Sequence, residues 1–77
     1  MRVPLYPAFV NGHVVDEKVW PLWVWTEHIL IINNVIVEDE PRGMCSMIMT
    51  SGIVLNFRMS ADDLIKEIET AELQRRN

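Results

Sequence analysis

Residues 45–73 read Cys45-Ser-Met-Ile-Met-Thr50-Ser-Gly-Ile-Val-Leu55-Asn-Phe-Arg-Met-Ser60, then Ala61-Asp-Asp-Leu-Ile-Lys-Glu-Ile-Glu-Thr-Ala-Glu-Leu73. Two β-favouring runs flank Thr50-Ser51-Gly52, and Gly52 suits a turn position that needs positive φ. In the second run Ile53, Leu55, Phe57 and Met59 fall on one side and Val54, Asn56 and Arg58 on the other. The side holding Phe57 is the candidate core; the other is left to water or a partner. Met47 and Met49 share one side of the first run, and Ile48 makes the opposite side apolar too, which places that strand inside a sheet.

Ser60 then opens a helix as its N-cap, and Asp62 and Asp63 suit the positive end of the helix dipole. Ala61, Leu64, Ile65, Ile68 and Ala71 form the apolar stripe, and Leu73 falls off it. Lys66, Arg75 and Arg76 lie toward the C-terminal end, where cations are favoured.

The N-terminal half has the same β character. Pro4 and Pro7 exclude helix from the first seven residues and predict an extended arm or edge strand. Asn11-Gly12, between Phe9-Val10 and His13-Val14, is a strong hairpin signal. Residues 19–25 read Val-Trp-Pro-Leu-Trp-Val-Trp; if extended, Trp23 and Trp25 share a face. Thr26-Glu27-His28 fits either a turn or one turn of helix. Ile29-Leu-Ile-Ile32 reads as a buried strand continued by Val35-Ile36-Val37, with Asn33-Asn34 a bulge or turn between them. Glu38 to Gly43 is an acidic loop broken by Pro41 and Gly43. The sum is a mainly β, α+β single domain over residues 1–77: a small curved antiparallel sheet, or open barrel, of about five strands with one C-terminal helix.

Composition narrows the function classes. The formal net charge is −4 and there is no basic stripe, which argues against duplex DNA or general RNA binding. A single cysteine rules out an internal disulfide and fits a reducing cytoplasm, or any compartment that needs no bridges. No apolar run approaches the roughly 18 residues that would span a bilayer. No metal site is expected, because His13, His28 and Cys45 lack the close pairing that zinc ligands show. The plainer reading makes Cys45 a buried thiol and the two histidines surface or capping groups. Glu38-Asp39-Glu40 is too short for a calcium loop. No cofactor is implied, no catalytic set can be assembled, and the chain is expected not to be an enzyme.

Three tryptophans and five methionines are many for 77 residues. Core packing is the ordinary role for Trp20, Trp23 and Trp25, but three within six positions are hard to bury together. An interface between protomers, or a stacking platform for a flat ligand, is the sharper reading. The candidate binding residues are therefore Trp20, Trp23, Trp25, His28 and Arg58, with Arg58 a natural anion contact or, more plainly, an exposed strand arginine.

From Trp23 onward the order of features resembles the FlbD-like small proteins, known from flagellar operons and from phage and bacterial relatives. The likeness rests on Trp23-Val-Trp-Thr-Glu-His28-Ile29, which is similar to the family's V-N-x-x-H-I segment. It also rests on the Ser51-Gly52 turn, which matches its D-G hairpin, and on Leu55-Asn-Phe-Arg58-Met-Ser60 leading to Asp63-Leu-Ile65, which matches its V-R-E-S-x-x-x-I helix entry. Thr26-Glu27, Ser51 and Met59 depart from the pattern, and the N-terminal hairpin and tryptophan cluster are additions. The resemblance implies a phage or bacterial origin and a non-enzymatic role, and it carries no catalytic residues over. The resulting expectation is a homo-oligomeric binding or adaptor protein that presents an apolar and acidic surface to a protein partner, with the tryptophans as anchors. The alternative is an oligomer that sequesters a nucleotide-like small molecule between protomers.

Overall fold

The computed structural model describes residues 1–18 and 21–75. Trp20 and Arg76 lie outside these residues. The described residues form seven strands and one helix, in order β1 (Arg2–Leu5), β2 (Phe9–Val10), β3 (His13–Val14), β4 (Leu22–Trp25), β5 (Ile29–Val35), β6 (Met44–Met49), β7 (Val54–Phe57) and α1 (Ala61–Arg75), with a 3-10 turn at Thr26–His28 between β4 and β5. The mainly β, α+β class holds. The strands divide into two antiparallel sheets, a pair β1-β4 and a five-stranded sheet ordered β3-β2-β7-β6-β5. The count exceeds about five because the N-terminal arm and the tryptophan segment pair with each other as a separate sheet.

The local signals act as their chemistry dictates. Asn11 (φ 50) and Gly12 (φ 83) both turn left-handed, the geometry of a tight two-residue hairpin. Asn11 then docks the hairpin on β7: its Oδ1 accepts the Val54 N–H at 2.9 Å and its own N–H donates to the Val54 carbonyl at 2.8 Å. Gly52 (φ 92) closes the β6-β7 turn, and its N–H donates to the Met49 carbonyl at 2.9 Å. Ser60 Oγ accepts the Asp63 N–H at 3.2 Å, so the helix starts where the cap predicts.

Alternation places Cys45 and Met47 of β6, and Leu55 and Phe57 of β7, on the inner side of the large sheet. Val3, Leu5 and Val24 face them from the small sheet, and Ala61, Leu64 and Ile68 from the helix. Ile65, placed on the stripe by its spacing, is 39% exposed at the stripe's edge.

Two expectations are corrected. Asn33 and Asn34 make neither bulge nor turn; they pair in register with Ser46 and Cys45 inside one continuous strand, and the irregularity falls between Ile29 and Ile31. The strand survives because both asparagines have uses there: Asn34 Oδ1 accepts the Ala61 N–H, and Asn33 is exposed. Ile29 to Ile32 is not a buried strand either, since β5 lies at the edge of the sheet with Leu30 65% exposed and Ile31 45% exposed. Ile36 and Val37 fall beyond the strand's end.

Candidate functional site

In β4 the alternation runs opposite to the size of the side chains. Val24 turns into the core, while Trp23 and Trp25 turn out, 45% and 52% exposed. The register with β1 fixes this: Val3 opposes Val24, Pro4 opposes Trp23, and Arg2 opposes Trp25. Directly opposed residues share a side, so Arg2, Pro4, Trp23 and Trp25 form the outer face of the small sheet.

Beside that face opens a cleft of about 440 Å³ between β4 and the β6-β7 turn. Leu22, Trp23 and Trp25 form one wall, Met49, Thr50 and Ile53 the other, and His28 lies at the junction. Two backbone features hold the walls. The 3-10 turn redirects the chain after Trp25, with the Thr26 N–H donating to the Met1 carbonyl at 2.9 Å. The Thr50 N–H donates to the His28 carbonyl at 2.8 Å, which pins the turn to the start of β5. The imidazole Nδ1 of His28 is 3.5 Å from Thr50 Oγ1.

Two cations stand over Trp23 in a chain of net charge −4. The Arg2 guanidinium is 4.8 Å from the centre of the Trp23 ring and the Arg75 guanidinium 5.1 Å, both in cation-π contact. Sequence reasoning missed this pair. Arg2 is two residues from Pro4, so the β1-β4 register carries the signal, whereas Arg75 depends on how the helix crosses the small sheet. Sequence reasoning also gave the turn Thr50-Ser51-Gly52 no role beyond its geometry, yet it supplies part of a wall.

Of the predicted binding residues, the structure brings Trp23, Trp25 and His28 to one cleft. Arg58 is not among its lining. It lies at the end of β7, where its guanidinium pairs with Glu17 at 3.4 Å and Glu40 at 3.7 Å and stands 5.5 Å over the Phe9 ring. Arg42 joins this cluster through Glu40 at 3.2 Å and Glu17 at 3.7 Å. The Arg42 side-chain hydrogen bond is the main reason the Glu40 carboxyl titrates below its ordinary 4.5. The cluster ties the loop after β3 to the acidic loop after β5.

Cys45 is fully buried, and desolvation pushes its thiol up to about 11, away from the thiolate range. His13 and His28 are exposed. Among the described residues, no three His, Cys, Asp or Glu side chains gather to hold a metal ion, and no helix is long and apolar enough to cross a membrane. No family model, curated protein or solved structure matches the chain; the likeness to FlbD-like proteins rests on the short motifs alone.

Proposed function

We propose that the chain is a non-catalytic binding module that takes an apolar anchor of a protein partner into the cleft beside Trp23 and Trp25. The observation that carries this reading is the outward turn of both indoles around an apolar cleft, while the smaller Val24 fills the core. Exposed tryptophan is costly in water, and buried aromatic anchors dominate protein-protein recognition. The Arg2 and Arg75 guanidinium groups beside Trp23 favour a partner with a carboxylate next to its apolar anchor. The deep burial and raised pKa of Cys45 support a role without covalent chemistry. A free buried thiol also suits a reducing compartment such as the cytoplasm.

A nucleotide-like ligand is the second reading. The cleft volume of about 440 Å³ falls in the small-molecule range, and indole faces stack on bases. His28, Thr50 and Ser51 would then supply the polar contacts within the cleft, because Arg58 is held by Glu17 and Glu40. Thermal melting with added nucleotides separates the two. A rise of several degrees supports the small ligand, and an unchanged midpoint supports a protein partner.

A further inference from the structure

The edge strands of sheets are usually blunted by shortness, proline or charge. Here β3, at one end of the large sheet, has only two residues, and β1 of the small sheet carries Pro4. The edge formed by β5 lacks these devices. It is seven residues long, and residues 29–37 read Ile-Leu-Ile-Ile-Asn-Asn-Val-Ile-Val, with no charge, proline or glycine in a chain of net charge −4. Its one irregularity is confined to the start of the strand, between Ile29 and Ile31.

The direction of the free backbone groups follows from the neighbouring bonds. The Met49 N–H donates to Ile53 of the β7 side, and the Thr50 N–H donates to His28 of the β5 side. Alternation along β6 therefore turns Ile48, Ser46 and Met44 toward β5, and their partners Ile31, Asn33 and Val35 toward β6. The N–H and C=O groups of Ile32 and Asn34 are left pointing to the open edge.

We propose that this edge pairs antiparallel with the same edge of a second copy, with Asn33 facing Asn33 across the two-fold axis. In that register Ile32 and Asn34 of opposite copies exchange backbone hydrogen bonds on both sides of the axis. Ile31 meets Val35 twice on the outer face, and the two Asn33 amides meet at the centre. Self-complementarity of this kind is what a two-fold interface requires. The absence of charge lets two acidic chains meet here without repulsion. A central amide pair also penalises slipped registers, in which it would face an apolar side chain. The pairing goes beyond the cleft and uses none of its lining residues.

The test combines native mass with two variants of the full chain. Light scattering over a concentration series is expected to find a species of twice the 9.0 kDa chain mass. Opposed residues in a non-hydrogen-bonded antiparallel pair have Cα atoms about 4.5 Å apart, within disulfide reach. Asn33→Cys is therefore expected to give a covalent dimer on mild oxidation, while Cys45 stays buried and unlinked. Asn33→Asp sets two carboxylates against each other and is expected to weaken the dimer about tenfold or more at pH 7. A wild-type chain that stays at 9.0 kDa throughout overturns the proposal. So does failure of Asn33→Cys to cross-link in a wild-type-like oligomer, because the copies then meet elsewhere. Asn33→Cys still decides if Asn33→Asp does not fold.

Discussion

Asn34 Oδ1 accepts the backbone N–H of Ala61 at 2.8 Å, joining an edge strand to the first residue of the helix 27 positions later. The helix start is thus capped twice, by Ser60 from within its own turn and by Asn34 from the sheet. Ala61 is buried, so its N–H has little water to fall back on. Asn34→Ala is expected to cost about 1 kcal/mol, and Ser60→Ala a similar amount, in urea unfolding. Asn34→Asp keeps the acceptor and is expected to stay within a few tenths of a kcal/mol of wild type. An unchanged midpoint for both alanine variants would mean that the helix does not begin at Ala61.

The paired caps show which parts of the fold a sequence can display. Ser60, Gly52 and Asn11-Gly12 act on residues next to them, so their turns and caps were legible. The inward set Met47, Leu55, Phe57 and Leu64 was legible for the same reason, because strand and helix periods are local. Asn34 caps a helix across the molecule, and no spacing displays that; read locally, Asn33-Asn34 looked like a break. The isoleucine run before it looked buried because composition cannot tell a central strand from an edge. In the cleft, Trp23 and Trp25 were singled out correctly as sharing a face. Their exposure, and the departure of Arg58 to another cluster, depend on strand pairing between distant segments.

Cys45 gives stability a dependence on alkaline pH. Burial raises its pKa from an ordinary 9.0 to about 11, so the folded state holds the proton that the unfolded state releases. Its contribution is constant below pH 9, and stability then falls as pH rises toward 11. The loss is expected to reach about 2–3 kcal/mol, since each pKa unit corresponds to about 1.4 kcal/mol. Urea midpoints of wild type and Cys45→Ala across this range check the sign. The variant should show a shallower alkaline decline, and equal declines would contradict the buried thiol. The native thiol is also expected to resist alkylation until denaturant is added.

Arg58 is held by Glu17, Glu40 and the Phe9 ring rather than left free for a ligand. These pairs are partly exposed, so Arg58→Ala is expected to cost no more than about 1 kcal/mol. Any binding at the cleft should be unchanged in the variant. Added salt should narrow the stability gap between Arg58→Ala and wild type, because exposed ion pairs are screened. A tenfold loss of binding in Arg58→Ala would return this residue to the site.

The account rests most on Trp25, which is 52% exposed beside the cleft, in contrast to Phe57 at the centre of the core. The deciding measurement pairs affinity with unfolding free energy for wild type, Trp23→Ala and Trp25→Ala, using a peptide selected on the wild-type protein from a random library. The selected peptide is expected to carry an apolar anchor beside an acidic residue. Its affinity should fall about tenfold or more in Trp25→Ala, as for a typical aromatic anchor. The same variant should lose only about 1–2 kcal/mol of stability, against about 3–5 for Phe57→Ala. A peptide that binds folded Trp25→Ala and Trp23→Ala as tightly as wild type would contradict the account, because the cleft would then not be the binding surface.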